Sequence, residues 1–156
     1  MSKAFMFKKG DKVHFSDDRV LVIDPCYVFE GIGDIDWDDF CDEFFSTKEA
    51  GSCIFCYKDI DILISNTFFG DGIYVAKSNL GEVGAFAVDS GVFCLIPESE
   101  AINKAPELLV FFNADKNQNH SYYDCACLLR VKSDFATAPA LGNIDGAIMV
   151  DTRFES

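Results

Sequence analysis

Aspartates are the side chains of this chain whose placement most resembles a chemical site. Four apolar runs end on or beside one: VLVID at 20–24, FFGDG at 68–72, GAFAVD at 84–89 and GAIMVD at 146–151. Acids that repeatedly follow buried β segments collect on one rim of a sheet, where they bind a ligand or brace turns. In the binding version Asp24, Asp71 and Asp89 orient a small molecule or nucleotide, and Tyr27 and Tyr74 supply stacking surface. Such a rim serves a binding protein or a weak hydrolase, and it fits a neutral or cationic ligand better than a phosphate. Its oxygens also suit a hard cation such as Mg²⁺ or Ca²⁺. The Asp-x-Asp-x-Asp-Gly spacing of a calcium loop is missing, because Asp34, Asp36 and Asp38 lack the glycine and run into a helix.

The thiols are the second candidates. Cys26 follows Asp24 and Pro25 directly, and a nucleophilic thiol needs a base to form thiolate near neutral pH. The chain offers only His14 and His120. The packing account of Cys26 is simpler: Asp before Pro forms a turn, Pro25 stops the strand, and Cys26 and Tyr27 turn inward. Cys53 and Cys56 have zinc-like spacing, but a strand through SCIFCY places them on opposite faces. Cys125 and Cys127 share a face, with His120 alone nearby. Seven cysteines in apolar surroundings fit small buried hydrophobes of a reducing compartment. Nucleotide, hydrolase and metalloprotease motifs with Gly-x-Gly-x-x-Gly, Walker, Gly-x-Ser-x-Gly or His-Glu-x-x-His spacing are missing. No cofactor and no resident metal are expected.

Charge points to a different kind of site. The net charge is −13, from 26 acids and 13 bases, which argues against gripping nucleic acid or an anionic membrane. A basic protein groove remains open as a partner. The acids concentrate between Glu30 and Glu43, where there are seven and no base. In DIDWDDFCDEFF, Trp37, Phe40, Cys41, Phe44 and Phe45 recur at helical spacing and form one apolar stripe. Asp36 caps the first turn. The opposite face carries Asp38, Asp39, Asp42 and Glu43. That face is either a contact for a basic partner or a solvated surface that keeps a Phe-rich domain soluble.

These elements must be held by a mostly β scaffold. Strands are expected at 12–15, 20–23, 53–57, 60–65, 73–77, 85–88, 92–96, 108–112, 124–131 and 146–150, with tight connections at Asn79-Leu80-Gly81 and Asp89-Ser90-Gly91. A second short helix is expected over 98–104 behind Pro97, and loops over 113–121 and 133–143. The fold class is α+β, mostly β: an antiparallel sandwich or open barrel of nine or ten short strands with one amphipathic and one short helix. All 156 residues are assigned to one domain. The nine residues from Asp17 to Pro25 echo those from Asp89 to Pro97, too short a match to establish a repeat. No run reaches the ~20 apolar residues of a membrane span, and the N-terminus lacks a secretory pattern, so a cytoplasmic protein is expected.

Asp24-Pro25-Cys26-Tyr27 after a strand, followed by Gly70-Asp71-Gly72-Ile73-Tyr74, resembles uncharacterised small β-rich proteins of bacteria and their phages. The resemblance covers roughly residues 16–97. It implies a β-rich fold and a phage origin, with a host cytoplasm as location, and it implies no mechanism. The leading expectation is a small, non-enzymatic acidic binding protein, in its most concrete form a phage accessory protein that blocks a host defence protein through Asp38, Asp39, Asp42 and Glu43. The alternatives are the aspartate-rim ligand site and a homo-oligomeric structural protein, the last because sixteen Phe exceed the needs of one small core.

Overall fold

The computed structural model describes residues 6–32, 35–47, 51–113 and 125–153. Within them the chain forms two six-stranded antiparallel sheets with helices against one outer side. Sheet A runs in the order β1 (Met6–Lys9), β4 (Ser52–Tyr57), β5 (Ile60–Asn66), β8 (Val92–Pro97), β3 (Asp18–Ile23) and β9 (Cys127–Val131). Sheet B runs in the order β2 (Val13–Phe15), β10 (Asp134–Ala140), β11 (Asn143–Gly146), β12 (Ile148–Asp151), β6 (Gly72–Ser78) and β7 (Val83–Val88). The helices are α1 (Pro25–Ile32), α2 (Trp37–Thr47), α3 (Glu98–Lys104) and α4 (Leu109–Phe112), the last entered through a 3-10 turn at Pro106–Leu108. The arrangement is a sandwich, not a closed barrel.

Two cores explain the two kinds of strand in the sequence. Along β3, Val20 and Val22 enter the core between the sheets, while Leu21 and Ile23 enter the core under the helices. Strand β8 alternates likewise, with Phe93 and Leu95 between the sheets and Val92, Cys94 and Ile96 under the helices. A strand buried on both faces must be apolar at every position, and β3 and β8 read as continuous apolar runs for that reason. Sheet B has one face in solvent, so β6 alternates buried Tyr74, Ala76 and Ser78 with exposed Ile73, Val75 and Lys77.

The second core takes up most of the aromatic excess. Phe40 and Phe44 of α2, Phe29 of α1, Phe7 of β1 and Phe55 of β4 form a chain of ring contacts with centroids 5.0–5.9 Å apart, the separations that favour edge-to-face and offset pairs. Leu108, Phe111 and Phe112 join the same core. This corrects the strand expected at 108–112: Pro106 opens a helical turn, and Leu108, Phe111 and Phe112 then reach the sheet at i, i+3 and i+4.

Three further expectations change. Residues 133–143 are not a loop but hold β10 and the start of β11, and β10 is recruited by pairing with β2 despite its Ala, Thr and Pro content. The register shifts between Thr137 and Ala140, on either side of Pro139, whose missing N–H interrupts a ladder. β1 and helix α1 were not anticipated. The expected strand count of nine or ten becomes twelve, with four helices, among the described residues. The expected loop at 113–121 lies outside them beyond Asn113, and Asp124 of the expected strand 124–131 lies outside as well. Both expected tight connections occur: Gly81 closes the β6–β7 turn with φ +84, and Asp89-Ser90-Gly91 carries the chain from sheet B into sheet A.

One long side of the sandwich is sealed where β7 meets β9. The Ala87 amide donates to the Cys125 carbonyl at 3.0 Å, and the Arg130 amide donates to Glu82 Oε1 at 2.7 Å. Gly84 makes the approach possible, since a Cβ there would stand 2.6 Å from Cys127 Cβ and 2.9 Å from its Sγ. Gly84→Ala is expected to lower stability by ~1–3 kcal/mol through overpacking. Ala85→Ser, one residue along on the outward face, is expected to stay within ~0.5 kcal/mol. Urea unfolding of both variants checks the seam, and equal midpoints would remove it.

Candidate functional site: the aspartate rim and the acidic helix

Asp24 is wholly buried. A carboxylate taken out of water must be met by donors, and four converge on it. Its Oδ1 accepts the Cys26 amide at 2.9 Å and the Ser90 hydroxyl at 2.6 Å, and its Oδ2 accepts the Asp89 and Ser90 amides at 2.7 Å each. The residue caps helix α1, with Pro25 at the first helical position and the Tyr27 amide donating to the Asp24 carbonyl. Because the other two amides belong to the β7–β8 turn, one side chain fixes the entry of α1 against the crossing from sheet B to sheet A. The Asp-Pro-Cys-Tyr segment is thus a cap and a brace in the structure.

The rest of the rim divides between use and exposure. The register Gly72↔Val88 places Asp71 and Asp89 just beyond the same end of the β6–β7 pair, beside Asp24. Asp71 and Asp89 are exposed, and Tyr27 is half-buried against the helix-side core. Tyr74 has no exposed surface and donates its hydroxyl to the Gly70 carbonyl at 2.8 Å. Asp151 is gripped by Arg153, with Nε to Oδ1 at 2.8 Å and Nη2 to Oδ2 at 2.6 Å. The aspartates do gather at one end. Of the five ligand candidates, however, Asp24 is saturated and Tyr74 is sealed in the core, so neither reaches a ligand.

The setting of Cys26 disfavours the thiolate. Burial first, and then the negative charge of Asp24, push its thiol far above the ordinary range. His14, the base considered for it, lies on β2 of the other sheet with its ring 5.8 Å from that of Phe135. Cys41 is likewise raised to about 11, by burial and then by Asp38 and Asp42. Cys127 is raised to about 12 by burial. Cys53 enters the helix-side core while Cys56 points the other way. No group of three His, Cys, Asp or Glu suited to a metal occurs among the described residues.

Among the described residues, two open clefts lie away from the rim. One of about 520 Å³ collects Arg19, Arg130 and Lys132 with Asp17, Asp18 and Glu98. Its charges are largely spent on one another: Arg19 forks onto Glu98, Lys132 meets Asp17 at 3.1 Å, and Asp18 Oδ2 accepts the Ser99 amide at 2.8 Å. The other, of about 370 Å³, places His14 and Asp134 near Ser16 and Ser133. Among the described residues no hydrogen bond joins that histidine to the serines or the acid.

The acidic helix forms, but Phe45 of its expected apolar stripe is 48% exposed. Asp36 Oδ1 accepts the Asp38 amide at 3.0 Å and the Asp39 amide at 3.3 Å, which caps α2. Phe40 and Phe44 are buried against sheet A, and Asp38, Asp42 and Glu43 are exposed, with Asp39 intermediate. The helix holds no Lys or Arg. Beyond the expected residues, Phe68 and Phe69 stand 52% and 57% exposed in the β5–β6 connection. Their backbone is pinned by Thr152 Oγ1, which accepts the Phe68 amide at 2.8 Å.

No helix among the described residues is long and apolar enough to cross a membrane. Compared with protein-family models, curated proteins and solved structures, the chain matches none.

Two outcomes follow from the rim geometry. Asp24→Ala leaves four converging donors unmet and is expected to lose at least ~3 kcal/mol, whereas Asp71→Ala stays within ~0.5 kcal/mol. Denaturant midpoints decide, and equal losses would make Asp24 an ordinary surface acid. Alkylation of Cys26 by iodoacetamide at pH 8 is expected to run at least ~100-fold slower in the folded protein than in the unfolded chain. Peptide mapping that finds Cys26 modified fastest in the folded state would return it to the nucleophiles.

Proposed function

We propose that the protein is a non-enzymatic binding protein that docks the outer face of α2 against a basic surface of a protein partner. The carrying observation is the split of that helix: Phe40 and Phe44 locked in the core, and Asp38, Asp42 and Glu43 turned to solvent with no base in the element. The whole-chain charge of −13 extends the attraction beyond the contact, which raises encounter rates with a positive partner and repels nucleic acid and anionic lipid. An accessory protein of a phage that occupies and blocks a basic groove of a host protein is the concrete form of this reading. The aspartate rim does not compete with it, because the saturation of Asp24 and the burial of Tyr74 remove two of the groups a ligand would need.

The test is affinity capture with the wild type and with Asp38→Asn, Asp39→Asn, Asp42→Asn and Glu43→Gln combined. Asp36 is retained, so the helix cap is intact, and circular dichroism verifies the fold. Capture of a basic partner is expected to drop at least ~10-fold in the variant, and wild-type capture to weaken as ionic strength rises above ~0.1 M. Equal capture by both proteins would overturn the proposal.

A further inference from the structure

Sheet B turns its outer side to solvent, and over β6, β7 and β12 that side is apolar. Ile73, Val75 and Lys77 of β6 point outward. The register sets Ala87, Ala85 and Val83 of β7 beside them and Met149 of β12 beside Lys77. Ile73, Val75, Val83 and Met149 are 54%, 38%, 62% and 41% exposed. Apolar residues contiguous over three strands are the kind of patch that marks an interface.

The charge on this face is also unlike that of the rest of the chain. Acids outnumber bases two to one overall, 26 to 13, so most of the surface repels a second copy. On this face Lys77 stands between the apolar side chains, the outward acid of β12, Asp151, is neutralised by its fork to Arg153, and exposed Asp145 of β11 lies on the far side of Met149. Along β6 the pattern is directional: exposed Asp71 precedes the strand, Ile73 and Val75 follow, and Lys77 closes it. Six residues of strand put the acid and the base ~20 Å apart.

We propose that this face receives a second copy of the chain, the two B sheets stacking about a two-fold axis that crosses β6. The rotation reverses β6, so the Asp71 end of one copy lies over the Lys77 end of the other while Ile73 and Val75 meet in the middle and Val83, beside Lys77, lies toward the end of the contact. An isologous contact of this kind forms each pairing twice. The six strands of sheet B, three to seven residues long and ~4.8 Å apart, offer on the order of 500 Å² per copy, short of a standard interface and in the range of weak, transient ones. The dimer is therefore reversible and concentration-dependent. It is independent of the α2 reading, since α2 lies on the far side of sheet A.

Sedimentation equilibrium of the full chain over a concentration series tests it. The wild type is expected to reach twice the chain mass by ~1 mM, a threshold corresponding to only weak binding. Val75→Asp with Val83→Asp keeps the fold, because both side chains point into solvent, and stays monomeric. Lys77→Asp weakens the dimer roughly tenfold, as expected of two symmetry-related surface pairs turned repulsive. Adding Asp71→Lys to Lys77→Asp restores it. A wild type that remains one chain at ~1 mM overturns the proposal. A dimer indifferent to the Val75 and Val83 changes overturns it as well, and failure of the Asp71/Lys77 exchange to restore association removes the two-fold stacking.

Discussion

A charged oxygen pair with no access to water has to be met inside the protein, and much of this fold is arranged around meeting the pair on Asp24. Three backbone amides and one hydroxyl converge on it from two places in the chain, the start of α1 and the turn that begins β8. No arrangement that separates these places leaves all four donors satisfied, and each unmet donor weighs ~1–3 kcal/mol against the folded state. The carboxylate therefore couples a helix of the outer layer to the crossing between the sheets. That coupling sets where α1 leaves sheet A and how Phe29 and Val28 reach the helix-side core.

A related brace stands at the other end of the β3–β8 pair. Asp18, which opens β3, accepts its neighbour's amide at 2.8 Å and the amide of Ser99 in the first turn of α3 at 2.8 Å. Arg19 then forks onto Glu98 of the same helix. Strands β3 and β8 are antiparallel neighbours, each crossing from sheet B into sheet A and each running into a helix at a proline. The nine-residue echo from Asp17 to Pro25 and from Asp89 to Pro97 covers these two crossings. The echo does not extend to the faces: Val20 and Val22 lie between the sheets where their counterparts Val92 and Cys94 lie under the helices, and the cap residue Asp24 falls opposite Ile96. Strands β8 and β3 are adjacent near the middle of sheet A, and β11 and β12 lie at the centre of sheet B.

What could be read from residues alone depended on whether burial or pairing decided the local structure. Strands β3 and β8 were legible because two-sided burial writes a nearly unbroken apolar run, and α2 because one-sided burial writes a helical stripe behind an Asp cap. Helix α1 was hidden, since PCYVFEGI is as apolar as a strand and its cap doubles as a turn former. Strand β10 was hidden for the opposite reason: DFATAPA has little β preference, and its state is set by the β2 and β11 ladders on either side. The rim was half legible. That aspartates gather at one end of the sheets follows from strand-end chemistry, but saturation of Asp24 depends on Asp89 and Ser90, 65 and 66 residues away.

The layering also separates two surfaces of opposite character. Helix α2 shields sheet A from one side and exposes carboxylates, while sheet B carries Ile73, Val75, Val83 and Met149 around Lys77 to the other. Both properties arise from the same economy of burial. Sheet A consumes apolar side chains on two faces and needs helices to cover it, so the covering helices show water their polar sides. Sheet B needs only one buried face, which leaves the outward positions of β6 and β7 without a folding requirement to be apolar. Ile73, Val75 and Val83 occupy those positions nonetheless, where Thr, Lys or Glu would serve the fold as well. Residue choice that folding does not demand is the ground for assigning that face to association. The polar face of α2 differs, because solvation alone accounts for its being charged, and only the uniform sign of that charge goes beyond what solvation requires.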